Sequence, residues 1–206
     1  GGVGITTLLY CPLKAEYRKL YPEMRSQNVA IDDGFLFEKT FIPYIEREFN
    51  GKVLHEPAVQ FEINNFRITG HPDVVIEGTD KITILEFKAP ISIYPSQKDI
   101  ELPDDDIILD DGNLFSIAEH YVMQARIQKR IVREFYQKPV DAYLFIKSTI
   151  QQQRRKVYIL RPISDEISDD ELLQLIDSFK NKKEPRYSWE CQYCIYSNVC
   201  DRTQNR

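Results

Sequence analysis

GHPDVVIEGTDKITILEFK, residues 70–88, is the stretch on which the fold turns. Strand-like residues Phe66–Ile76 and Ile82–Phe87 flank the turn signal Gly78-Thr79-Asp80, and so short a gap favours an antiparallel pair. Asp73 opens the run that enters the turn, and Glu86 closes the run that leaves it, thirteen residues on. Across such a pair the two carboxylates lie side by side and can reach one cation. Alternation puts Glu86 and Lys88 on one face of their strand and turns Phe87 into the opposite layer. Hard oxygen ligands from Asp73 and Glu86 suit Mg²⁺ or Mn²⁺, which retain waters and bind phosphate. A lysine beside them orients or deprotonates an attacking water, which is the chemistry of phosphodiester hydrolysis. Glu38, out of character among Phe35, Leu36, Phe37, Phe41 and Ile42, is the candidate third carboxylate. Taken singly, an Asp after Pro is a turn or cap, and a Glu-x-Lys is a surface ion pair. The combination and its spacing favour an active site.

Outward from this core, Ala58–Ile63 reads as a further strand, turning at Asn64-Asn65 into the next to extend an antiparallel meander. Upstream, residues 7–20 read as a helix. A second runs from an N-cap at Asp32 to Phe49, kinked or divided by Pro43 and closed by Gly51. Downstream, a long helix is expected from Gly112, with Leu114, Ile117, Ala118, Tyr121, Val122, Ala125 and Val132 on its apolar face. Strands Val140–Lys147 and Lys156–Leu160 follow, then a helix over residues 168–181 opened by a capping box, Ser168-Asp-Asp-Glu171. This order gives an α/β (α+β) fold with a mixed central sheet flanked by helices. At 206 residues the chain reads as one domain.

Four cysteines stand apart from that core, Cys11 near one end and Cys191, Cys194 and Cys200 near the other. The Cys-x-x-Cys step aims two sulfurs at one centre, and the third follows six residues later. A shared inorganic centre, zinc or iron–sulfur, would make residues 1–25 and 184–206 one lobe and its metal part of the fold. Buried core thiols and two disulfides are the alternatives.

The net charge of −5 at first argues against nucleic acid. Seven acids, however, fall in residues 99–111, which read as a solvated loop, and the remainder would carry +2. Lys129-Arg130, Arg133, Arg154-Arg155-Lys156 and Lys182-Lys183 offer a phosphate-facing surface or, alternatively, ordinary solvated faces. Nothing resembles a signal peptide or a membrane span, and the charged, Tyr-rich composition is expected of a cytoplasmic chain.

Asp73…Glu86-Phe87-Lys88 resembles the D…(D/E)-x-K core of the restriction-endonuclease-like superfamily, particularly its RecB-type branch. Leu8-Leu-Tyr-Cys11-Pro with Trp189-Glu-Cys191-x-x-Cys194-x5-Cys200 is further similar to the CRISPR-associated RecB-like iron–sulfur nucleases, the fourth Cas family, and their archaeal-virus relatives. The resemblance runs from Cys11 to Cys200. It implies a divalent-metal DNA nuclease for single strands or ends, with exonuclease character, held by a [4Fe-4S] or [2Fe-2S] cluster on Cys11, Cys191, Cys194 and Cys200. It further implies Glu38, Asp73, Glu86 and the Phe87 carbonyl as metal ligands, Lys88 as the catalytic lysine and Gln124 as the glutamine of a Gln-x-x-x-Tyr helix motif. Gln128 stands where that motif has tyrosine; with His120 and Gln124 it shares a helix face able to line a DNA groove. The same kinship makes CRISPR integrase proteins possible partners and antiviral defence the setting. The competing reading is a DNA-end-binding adaptor in a CRISPR-adaptation or viral recombination complex, its nuclease secondary or idle.

Overall fold

Pro72 divides what reads as one strand into two that join different sheets. In the computed structural model, which describes residues 2–24, 29–49, 51–90, 92–97, 102–103, 105, 107–150, 153–182 and 184–201 (only the backbone of 29–33 and 35), the elements run as follows. They are β1 (Val3–Gly4), α1 (Ile5–Leu9), α2 (Leu13–Leu20), α3 (Val29–Glu48), β2 (Lys52–His55), β3 (Val59–Ile63), β4 (Phe66–Gly70), β5 (Val74–Glu77) and β6 (Ile82–Lys88). There follow β7 (Tyr94–Pro95), β8 (Ile107–Leu109), β9 (Phe115–Ser116), α4 (Glu119–Tyr136), β10 (Val140–Ile150), β11 (Arg155–Ile163), α5 (Asp169–Lys180) and a 3₁₀ turn, Ser188–Cys191. Two compact units emerge, Asn28–Phe61 with Gly70–Ile167, and Gly1–Gln27 with Glu62–Thr69 and Ser168–Arg206.

The larger unit is built on a six-stranded sheet ordered β2-β5-β6-β10-β11-β8. β5 runs antiparallel to β6, β6 parallel to β10, and β10 antiparallel to β11, so the sheet is mixed as expected. Phe87 points to the α3 side, its ring 5.2 Å from that of Phe37, within a core that includes Ile45, Val74, Leu85 and Phe145. Glu86 points the other way, to Gln124 of α4. Two helices therefore cover opposite faces of one strand, and its alternation decides which residue meets which.

Several boundaries differ from the sequence reading for identifiable reasons. Proline offers no N–H to a ladder, and the chain leaves β4 at Gly70 to re-enter pairing only at Val74. The long helix begins at Glu119, not Gly112, because Asp110 Oδ1 accepts the Gly112 and Leu114 amides (3.0 and 3.1 Å) and holds a turn there. That turn carries Gly112 at φ +116°, open to glycine and unfavourable for other residues. Asp110 is fully buried against Arg161, and Ile107–Leu109 extends the sheet edge, so this end of the acidic stretch is structure, not solvated loop. Residues 99–101, 104 and 106 of that stretch lie outside the described residues. α3 starts at Val29 and continues through Pro43 undivided.

In the smaller unit β1 pairs parallel with β4 through Val3–Ile68 and Gly4–Thr69, and α1 packs on α5. The helix expected over 7–20 is broken into α1 and α2 at Cys11-Pro12, since proline disfavours helical geometry in the residue before it. The capping box forms as read: Ser168 Oγ accepts the Glu171 amide and Glu171 Oε2 accepts the Ser168 amide.

Candidate active site and cysteine lobe

The β5–β6 register pairs Val74 with Leu85, and its continuation sets Asp73 opposite Glu86. Asp73 Oδ2 accepts the Phe87 amide at 2.6 Å, so the carboxylate is clamped to the very strand that carries its neighbour. Glu86 is 2 % exposed; its Oε1 accepts from both Lys88 Nζ and Gln124 Nε2, the latter at 2.5 Å. Its Oε2 is buried and, among the described residues, has no hydrogen-bond partner. A buried carboxylate oxygen left bare is costly, and in native sites it commonly meets a cation. The structure thus brings Asp73, Glu86, Lys88 and Gln124 together, and Glu38 lies within electrostatic reach of them.

Charge follows from that crowding. Burial, and then repulsion from Glu86, push the Asp73 carboxyl up to about 8, against the pull of Lys88 and the Phe87 amide. Burial likewise raises Glu38, with Glu56 and Glu86 adding to it. For Lys88 burial alone would lower the pKa, but Glu86 and Asp73 outweigh it and the net direction is up. Lys88 is thereby paired to Glu86 and faces Asp73. Among the described residues no three His, Cys, Asp or Glu side chains converge as they stand on one ligating point. Glu86 Oε1 is turned to Lys88 and Gln124, and Asp73 to a backbone amide.

Gln128 does not line a groove. It is 2 % exposed, and its Nε2 donates to the His71 carbonyl (3.4 Å), bracing the turn that carries Asp73. Tyr121, read as one more apolar-face residue, has its ring 5.8 Å from Lys88 Nζ. Only the fold could reveal that contact, although the i, i+3 step from Tyr121 to Gln124 is legible. The basic clusters of α4 are consumed internally: Arg130 and Arg133 pair with Glu134 and Glu166, and Lys129 donates to the Ile163 and Ser164 carbonyls. Arg155 donates to the Pro103 and Asp105 carbonyls, and Lys182 pairs with Glu16.

In the smaller unit Cys11, Cys191, Cys194 and Cys200 line one cavity with Lys14, Tyr17 and Glu190. None of the four is in a disulfide in this structure. Four thiols around one cavity are a donor set suited to zinc or an iron–sulfur cluster.

A mixed sheet bearing Asp73 and Glu86-x-Lys88 on adjacent strands, with Gln124 supplied by the covering helix, is the restriction-endonuclease-like arrangement expected from the sequence. No protein-family model matches the chain. Over 201 residues it is 23 % identical to the CRISPR-associated exonuclease Cas4 of Saccharolobus solfataricus, covering 95 % of this chain and 85 % of that protein. The crystal structure of SSO0001 shares the fold, with TM-score 0.67 and 20 % identity over 98 % of this chain and 86 % of the other. An alkaline exonuclease from Laribacter hongkongensis is more distant, with TM-score 0.41 and 12 % identity over 88 % and 85 % of the two chains. The chain is thus similar to Cas4 over most of its length, the likeness that its D…E-x-K core and cysteine frame led one to expect. No described helix is long and apolar enough to cross a membrane.

Proposed function

We propose that this chain is a divalent-metal-dependent deoxyribonuclease that hydrolyses phosphodiester bonds in single-stranded DNA or at DNA ends. The observation that carries the reading is the buried Glu86, whose Oε1 is saturated by Lys88 and Gln124 while Oε2 is bare. Together with the raised Asp73 and Glu38, it describes a carboxylate cluster that needs positive charge. Glu38, Asp73, Glu86 and the Phe87 carbonyl would hold Mg²⁺ or Mn²⁺. Such a cation, when bound, supplies Lewis-acid polarisation of phosphate and a more acidic water. The protein's own part is positional and electrostatic. Gln124 and Lys88 fix the rotamer of Glu86, the Phe87 amide fixes Asp73, and the Lys88 ammonium balances charge developing on the phosphate.

Exonuclease character and a CRISPR-linked role are supported by the name of the Saccharolobus relative, a CRISPR-associated exonuclease. We further assign the four-thiol lobe an iron–sulfur cluster, with [4Fe-4S] favoured, making residues 1–25 and 184–206 the cluster-bearing part of a single nuclease domain.

The test is cleavage of end-labelled single-stranded DNA by anaerobically purified protein with Mn²⁺ or Mg²⁺, beside Glu86→Gln and Lys88→Met. The wild type cleaves only with metal, and both variants lose about 10²-fold or more in rate. DNA binding without cleavage by the wild type would replace the nuclease with an end-binding adaptor.

A further inference from the structure

Glu190 is 1 % exposed, deeper than any cysteine beside it, although nothing in a thiol frame calls for a buried carboxylate. Its partners explain the burial. Oε2 accepts the Cys11 amide at 2.8 Å and the Lys14 ammonium at 3.3 Å, and Oε1 accepts the Tyr187 amide at 3.3 Å. A desolvated carboxylate is tolerable only when so paired.

The Cys11 amide needs such an acceptor. It falls in the break between α1 and α2, after Tyr10 in extended geometry (φ −104°, ψ −175°) and before Pro12. One carboxylate thus fixes the main chain of Cys11 while being itself the residue preceding Cys191, across 179 positions of sequence. The rings of Tyr10, Tyr187 and Trp189, neighbours in sequence of Cys11 and Glu190, pack on one another at centroid distances of 5.8–6.3 Å.

We propose that Glu190 is a positioning residue that presets the four-thiol cavity, holding Cys11 in register with Cys191, Cys194 and Cys200 before any inorganic group enters. The inference rests on the reading that these thiols hold a cluster. Outer-shell groups that orient a ligand govern how firmly the centre is retained. Glu190 would do so through the backbone of one ligand and the sequence position of the next.

The test compares wild type and Glu190→Gln, both purified anaerobically. Iron and acid-labile sulfide per chain and visible absorbance are read first. The rate of iron loss to excess chelator and far-ultraviolet circular dichroism are read next. After metal removal, alkylation of Cys11 relative to Cys200 is followed by mass spectrometry. The expected result is a folded variant that loses iron about tenfold faster or more, with Cys11 alkylated selectively faster. Wild-type iron retention and wild-type Cys11 labelling in the variant would overturn the proposal. A wild type that binds neither iron nor zinc would instead overturn the cluster reading, and the proposal with it. Should Glu190→Gln not accumulate as folded protein, Lys14→Met carries the test, because it keeps the Cys11 bond but strips the carboxylate of its cation. Iron loss more than about threefold faster then supports the proposal, and unchanged loss overturns it.

Discussion

Asp73 illustrates how one residue answers to two demands. Its amide clamp from Phe87 favours the ionised form, but burial and Glu86 prevail and hold it protonated to about pH 8. An acid raised in this way costs stability as pH climbs. Below its ordinary value of 3.8 both folded and unfolded chains hold the proton; between there and about 8 only the folded chain does. The metal-free protein should therefore lose stability across that window and level off above it, and Asp73→Asn should remove this component. Urea midpoints at pH 5, 6, 7 and 8 check it: the advantage of the variant should widen with pH, and parallel curves would refute the assignment. Gln128 makes a separate case. Its hydrogen bond to the His71 carbonyl is long and, among the described residues, its Oε1 meets no partner, so Gln128→Leu should change stability by no more than about 1 kcal/mol. If it braces the Asp73 turn, turnover falls while KM holds, and steady-state kinetics beside a denaturation curve would separate the two effects.

At the scale of elements, β6 carries most of the site, and much of that was legible. The period of two in Ile82–Lys88 correctly sent Phe87 into one layer and Glu86 with Lys88 into the other, and the thirteen-residue step to Asp73 correctly implied a side-by-side pair. The strand's end was less legible on the Asp73 side, because a proline within an apolar run lets periodicity continue while pairing stops. The start of α4 was misplaced for a similar reason. Leu114, Ile117 and Ala118 keep helical spacing, but the buried Asp110 captures the amides and imposes a turn. Gln124 was found through a family likeness, whereas Tyr121 and Glu190 draw their importance from partners 33 and 179 residues distant, which no local pattern carries. The core behind β6 should be sensitive. Phe37→Ala removes a ring that stacks on Tyr158 and packs against Phe87 and Phe145, and should cost about 3–5 kcal/mol by thermal or urea unfolding.

At the scale of the whole molecule, the two compact units bear different side-chain chemistry: carboxylates and a lysine in one, thiols in the other. On the proposed cluster reading, removing the metal from the thiols should therefore act selectively. Hydrogen exchange measured before and after chelation should show α1, α2 and residues 188–200 losing protection, while β5, β6 and β10 keep theirs; uniform deprotection would argue against a local role. The contact between Cys11 and Glu190 also has a consequence in time. At roughly 5–20 residues per second of synthesis, 179 residues separate the two by about 10–40 s. For that interval the nascent chain presents Cys11 to the cell with neither its carboxylate anchor nor its three companion thiols. The sheet with the carboxylates can pair on the ribosome. The lobe is completed last, and its first thiol must survive the wait in reduced form.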